Sequence, residues 1–247
     1  MSNPLISIIL TYYKKKKYIQ KTIESIKRQS HKNFQLIFVY DDTDQNDLNY
    51  IKKIIRKIKI KKLIINKKNL GVAVSRNIAS KYIRGKFTAF IDADDIWKKD
   101  KLKDQLIYML KSNSDISYTS YEIIDATGRP QGKRTVSKNI FYKSLSKKCD
   151  IGLSSVLLKS KILKQNKFPR LRTQEDFGLW LKLIRKGYKF QPIDKIYMKW
   201  RKDRNSLSSN TVQKIFDAFK LYYKFENKNL ILSLYSVIIL SINKILN

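Results

Sequence analysis

The chain has 247 residues, a length that fits one large domain or a domain with a small appendage. With 43% apolar and 12% aromatic residues it can build a core, which excludes a disordered basic tail despite 30% charged residues. The 53 Lys and Arg against 20 Asp and Glu give a formal net charge of +33, which suits an anionic membrane surface or nucleic acid. Lysine spread alongside Ile and Asn is also what an AT-rich genome encodes. Arg clusters interleaved with aromatics and nucleic-acid reading motifs are both missing, so nucleic acid is not the expected partner. One cysteine, Cys149, permits no intrachain disulfide, and one histidine, His31, leaves no His/Cys zinc site and no good Ser-His-Asp triad. Chemistry must run on carboxylates, hydroxyls, Lys and Arg.

In chain order, "LISIIL" (5–10) reads as a buried strand, too short and too soon followed by four lysines to be a secretory signal. The run Lys14-Lys15-Lys16-Lys17 reads as a solvated loop entering a helix at 18–29, where Ile19, Ile23 and Ile26 share a face. Strands at 34–40, 62–66 and 87–91 alternate with helices at 48–58, 72–83 and 101–111. Strand–helix alternation with continuous apolar strands predicts a mostly parallel, Rossmann-like α/β sheet flanked by helices, with ligands at the carboxyl ends of the strands. Further on, 116–125 reads as a strand, 126–133 as a turn, 151–163 as a strand running into a helix, 175–188 as a helix and 196–201 as a return to the sheet. Helical spacing resumes from Val212 to Tyr223. "LILSLYSVIILSINKILN" (230–247) is slightly short of the ~20 apolar residues of a membrane span and holds Ser233, Ser236, Ser241 and Asn243. A helix packed on the domain or lying in a membrane interface is expected. The division predicted is a main domain over 1–210 and a C-terminal helical extension over 211–247.

Seven of the chain's 20 acids fall in two clusters at strand ends, Asp41–Asp47 and Asp92–Asp95. Carboxylates about 4 Å apart repel by roughly 4 kcal/mol at an effective dielectric near 20, so "FTAFIDADDIW" calls for a compensating cation. Hard divalent cations take one or two protein carboxylates and complete their shell with phosphate oxygens and water. Capping of the next helix explains one of Asp94 and Asp95 but not three acids. The first cluster fits either a second ion site or Asx turns with a helix cap. Glu175 and Asp176 open a helix, where acids suit the dipole.

These motifs, in order, resemble family 2 glycosyltransferases of the GT-A fold over most of residues 5–210. They are "SIILTYYKKKKYI", "FVYDDTDQND", "NLGVAVSRN", "FIDADDIW" and "EDFGLWLKL". The resemblance implies that Thr11, Tyr13 and Asp41 surround a nucleotide base, that Arg76 lies near the donor, and that Asp94 reaches the ribose or the metal. It makes Asp95 the main ligand of Mn²⁺ or Mg²⁺, although the registration of Asp92, Asp94 and Asp95 stays open. It makes Asp176 the general base of an inverting displacement, with Arg201 and Arg204 as diphosphate contacts. Tyr40 and Asp42-Thr43 depart from the family's usual Asp and Gly-Ser, Lys14 from its Asn, and no His follows Arg201.

The expected activity is metal-dependent sugar transfer from a nucleotide-sugar donor, UDP-linked, to a glycan or lipid-linked acceptor. The setting is lipopolysaccharide or capsule synthesis, with the enzyme peripheral on the cytoplasmic face of the bacterial inner membrane. The alternatives are a sugar-phosphate nucleotidyltransferase, against which stands the lack of a Gly-rich triphosphate loop, and a non-enzymatic basic binding module.

Overall fold

The computed structural model describes residues 3–137, 140–203, 206 and 209–245. Strands β1 (Ile6–Tyr12), β2 (Phe34–Tyr40), β3 (Lys61–Ile65) and β4 (Phe87–Asp92) pair in parallel in the order β3-β2-β1-β4. Helices α1 (Lys16–Lys27), α2 (Gln45–Ile55) and α3 (Val72–Ala79) form the crossovers. The apolar runs of β1 and β2 are continuous because both faces are covered. Ile8, Leu10 and Tyr12 pack with Phe38 against Ile19, Ile23 and Ile51 of α1 and α2. The alternate residues Ile9, Ile37 and Val39 face a second core with Ala73 and Ala79 of α3.

Beyond β4 the sheet turns mixed. β5 (Ile96–Trp97) leads into α4 (Lys101–Ser112), followed by β6 (Ile116–Ile124), β7 (Pro130–Arg134), the short α5 (Tyr142–Leu145), β8 (Leu157–Lys159) and α6 (Lys161–Gln165). Then come α7 (Glu175–Arg185) and β9 (Phe190–Arg201). β8 runs antiparallel between β4 and β6, β9 lies parallel to β6, and β5 and β7 pair antiparallel with β9 and β6.

Two expectations shift here. The segment 126–133 is a turn only as far as Arg129, after which β7 folds back on β6 as an edge strand. The strand expected at 196–201 starts six residues earlier, at Phe190, because β6 supplies a partner for that polar stretch through two register shifts around Ser120.

The C-terminal helices α8 (Thr211–Lys220) and α9 (Leu230–Ile245) are joined through a π-helical turn, Leu221–Phe225. They share the second core with α7 rather than standing apart: Ala218, Leu221, Tyr222 and Val237 are buried with Phe177 and Trp180. Gly178 permits this approach, since a Cβ there would sit 2.7 Å from Pro169 Cγ and 2.9 Å from Leu221 Cδ1. Asp217 locks the junction by accepting from the Thr173 backbone N–H at 2.8 Å and the Thr173 hydroxyl at 2.9 Å. No helix among the described residues is long and apolar enough to cross a membrane.

Candidate active site

The site forms where the parallel strands end. β1 carries Thr11 and leads into Tyr13, and β2 leads into Asp41, whose N–H donates to Tyr12 O at 2.9 Å. The Asp41 carboxylate organises the loop that launches α3. Its Oδ1 accepts from Asn66 Nδ2 at 2.7 Å and Leu70 N at 2.8 Å, and its Oδ2 from Gly71 N at 2.9 Å. Gly71 stands at φ 84°, a left-handed backbone that only glycine adopts without cost. The rest of the first acidic cluster has structural work. Asp42 accepts from Lys14 N and Thr43 N, and Asp44 caps α2 through Asn46 N and Asp47 N. Asp47 accepts from the Tyr12 hydroxyl at 2.5 Å and pairs with Lys16 at 2.7 Å. Within this cluster Asp44 is the helix cap and Asp42 a turn acid, whereas Asp41 and Asp47 bind groups distant in the chain.

The second cluster behaves differently. Neither Asp94 nor Asp95 caps α4, whose N-cap position is Asp100 and carries no side-chain cap bond. Asp92 Oδ1 accepts from Arg76 Nη2 at 2.7 Å. Asp94 Oδ2 pairs with Lys15 Nζ at 2.8 Å. Asp95 is almost fully buried; its Oδ1 accepts from Arg201 N at 3.0 Å, while its Oδ2 has no hydrogen-bond partner. Burial, reinforced by the charges of Asp94 and Asp92, holds the Asp95 carboxyl well above the usual carboxylate range. Burial raises Asp94 too, with Lys15 opposing.

A partnerless buried carboxylate oxygen beside a second carboxylate is a donor set that suits a hard divalent cation. No cluster of three or more metal-ligating side chains exists among the described residues.

Opposite lies the N-terminus of α7, entered through Gln174 at φ 61°. Asp176 Oδ1 accepts from Phe177 N at 2.7 Å. The helix terminus favours its anion, as the sequence suggests, yet burial outweighs this and lifts the carboxyl above the usual range, with Arg76 opposing. Its neighbour Glu175 is pushed up to about 7 by burial, again against Arg76. Arg76 is the hub. Its Nη1 donates to Glu175 Oε1 while Nη2 holds Asp92, so one buried guanidinium ties α3 to the β4 turn and to α7.

A single cleft of about 820 Å³ brings these groups together: Thr11, Tyr13, Asp41, Arg76, Asp92, Asp94, Asp95, Asp176 and Arg201 all line it. Arg204 lies outside the described residues. Arg201 is buried, and its guanidinium donates to the backbone carbonyls of Asp94 (Nε, 3.1 Å) and Asp125 (Nη1, 2.8 Å). That geometry makes it a clamp on the acidic turn. The residues that sequence reasoning missed are also basic. Lys15 is not a solvated loop lysine, and Arg134 and Arg172 line the cleft as well. Position after a strand end was the one available signal for Lys15.

Comparison with known proteins bears on the family and the fold. The family model described as glycosyl transferase family 2 matches residues 7–169. The chain is 31% identical to the putative teichuronic acid biosynthesis glycosyltransferase TuaG of Bacillus subtilis, over 90% of this chain and 89% of that protein. It is 34% identical to WfgD of Escherichia coli, named as a UDP-Glc:alpha-D-GlcNAc-diphosphoundecaprenol beta-1,3-glucosyltransferase, over 87% of this chain and 84% of that protein. Among solved structures, Staphylococcus aureus TarS 1–349 with UDP-GlcNAc superposes with a TM-score of 0.72 at 23% identity; 89% of this chain is covered and 65% of the TarS chain. The mannosyltransferase PcManGT of Pyrobaculum calidifontis, with GDP-Man and Mn²⁺, superposes with a TM-score of 0.72 at 12% identity, covering 96% of this chain and 70% of that one. These two likenesses establish the GT-A fold. The family match sets aside both the nucleotidyltransferase and the non-enzymatic module. The chain is a glycosyltransferase and belongs to glycosyl transferase family 2.

Proposed function

We propose that the protein is an inverting, divalent-cation-dependent glycosyltransferase that moves a sugar from a UDP-linked donor to a hydroxyl of a lipid-linked glycan acceptor in bacterial surface-polysaccharide synthesis. The observation that carries this reading is one cleft lined both by Asp95, whose buried Oδ2 has no hydrogen-bond partner, and by Asp176 at the start of α7. Asp176 accepts the proton of the acceptor hydroxyl as that oxygen attacks the anomeric carbon. The bond from that carbon to the diphosphate oxygen breaks on the opposite face, which inverts the configuration. Arg76 keeps positive charge beside Asp176 and fixes the distance between α7 and the acidic turn. Asp94 and Asp95 would hold the cation, which when bound supplies positive charge against the leaving diphosphate. Thr11, Tyr13 and Asp41 form the wall for the nucleoside.

The donor assignment is tested by a thermal-shift panel of UDP-, GDP-, dTDP- and CMP-sugars with and without Mn²⁺. UDP-sugars should raise the Tm by several degrees only when Mn²⁺ is present. A shift with another nucleotide alone, or one indifferent to the metal, would refute that part of the reading.

The acceptor's lipid would be met at the cytoplasmic leaflet. On α9 the usual polarity is reversed. Ser233, Ser236 and Val237 are buried against the domain, while Leu230, Ile231, Leu234, Tyr235 and Ile238 are exposed. Val212, Ile215 and Phe216 of α8 are exposed as well, with Lys220 and Lys224 following them in the chain. Leu240 and Asn243, on the domain-facing side of α9, line the cleft, so the same helix carries the apolar face and part of the cleft wall. The full chain should sediment with vesicles containing anionic lipid, and Ile231→Ser with Tyr235→Ser should cut that binding by about tenfold, on the basis of buried apolar area. Equal sedimentation of the double variant and the wild type would remove α9 from the account.

A further inference from the structure

We propose that Lys15 is the resident counter-cation of the donor-phosphate site. It holds Asp94 in the free enzyme, competes there with the divalent cation, and passes to the diphosphate when a donor binds. This rests on the metal-dependent reading above.

The backbone directs Lys15 to this place. Lys14 adopts φ 50°, a left-handed conformation disfavoured for a residue with a side chain. Asp42 holds it there by accepting the Lys14 N–H at 2.9 Å. The turn starts α1 at Lys16 and folds Lys15 back toward the strand ends, leaving its side chain 18% exposed. Its neighbours go elsewhere: Lys14 Nζ lies 5.3 Å from the Tyr13 ring centroid, Lys16 pairs with Asp47, and Lys17 lies 5.6 Å from the Tyr18 ring centroid. Among these lysines, Lys15 is the one that reaches the acidic trio, with Nζ 2.8 Å from Asp94 Oδ2 and 3.6 Å from Asp203 Oδ2.

The two carboxylates of the cation site are thus unlike. Asp95 presents an unpartnered oxygen, while Asp94 already carries an ammonium. A metal ion sharing Asp94 meets a like charge until Lys15 moves, and a lysine on a flexible four-carbon stem moves readily when a second anion is within reach. A donor diphosphate provides that anion at the same mouth of the cleft. Metal and donor should then bind with positive coupling, each relieving the other of Lys15.

The test is a Mn²⁺ titration followed by the EPR signal of the free ion, with and without UDP, on wild type, Lys15→Met, Lys15→Gln and Lys15→Arg, each checked for folding by circular dichroism. Without UDP, the Met and Gln variants should bind Mn²⁺ about fivefold or more tightly than wild type, and UDP should improve their Mn²⁺ affinity by a correspondingly smaller factor. Lys15→Arg should behave as wild type. Wild-type Mn²⁺ affinity in the Met and Gln variants, with an unchanged UDP effect, would overturn the role of Lys15 and leave the metal reading intact. Absence of Mn²⁺ binding by every protein, with or without UDP, would overturn both.

Discussion

Asp176→Asn is expected to lower the turnover number by about 10²–10⁴-fold, the usual contribution of a general base, while the donor's thermal shift stays as in wild type. The substitution keeps the shape of the side chain and an oxygen for the Phe177 N–H, so the fold at the start of α7 survives. Steady-state kinetics at saturating donor reads the effect, and turnover within tenfold of wild type would remove Asp176 from the mechanism. The pH profile adds a sign. The base must be ionised, and burial lifts its carboxyl above the usual aspartate value of about 3.9. Turnover should therefore fall with acidification at a pH above that value, and the residual activity of Asp176→Asn should lack this acid limb.

The largest effect on stability is expected at Arg76. Its side chain and that of Glu175 are 4% and 9% exposed, whereas Asp92 is 37% exposed. Arg76→Met strands Glu175 as a buried carboxylate without its cation. Breaking a buried pair in this way costs about 3–5 kcal/mol. The cost depends on pH in a definite direction. The folded-state pKa of Glu175 is raised to about 7 by burial even with Arg76 present, and loss of the guanidinium raises it further. An acid raised in the folded state contributes stability below its unfolded pKa and loses it as pH rises through the folded one. Urea unfolding of Arg76→Met should thus show a larger deficit at pH 8 than at pH 6, and Glu175→Gln in the same chain should recover part of it. A deficit below about 1 kcal/mol at pH 8 would mean that Arg76 is not the tie between α3, the acidic turn and α7.

Much of this arrangement is legible in the sequence where a local signal exists. The runs of β1, β2 and β4 declare themselves because strands covered on both faces are continuously apolar. Asp94, Asp95 and Asp176 are legible because charge crowded at strand ends and a helix start is unusual in so basic a chain, and because the flanking motifs come in a familiar order. What was not legible depends on partners distant in the chain. A run of four lysines reads as solvated, and only the left-handed turn at Lys14 and the far end of β4 reveal where Lys15 points. Arg76 bridges residues 16 and 99 positions away, and no spacing rule encodes that. The edge strand β7 and the first half of β9 carry Pro130, Gly132, Pro192 and Asp194, residues that local propensity places outside strands, so β6 decides their pairing. The serines of α9 weaken a reading of that segment as a span, and the fold turns two of them, Ser233 and Ser236, toward the domain.

Direct displacement at the anomeric carbon with Asp176 as base is read from the stereochemistry of the product. The protein is incubated with Mn²⁺, a UDP-α-hexose that passes the thermal-shift panel and a synthetic lipid-diphosphate-linked acceptor sugar, and the new linkage is assigned by NMR. Wild type should form a β linkage, and Asp176→Asn should form it about 10²–10⁴-fold more slowly; an α linkage from the same donor would exclude direct displacement.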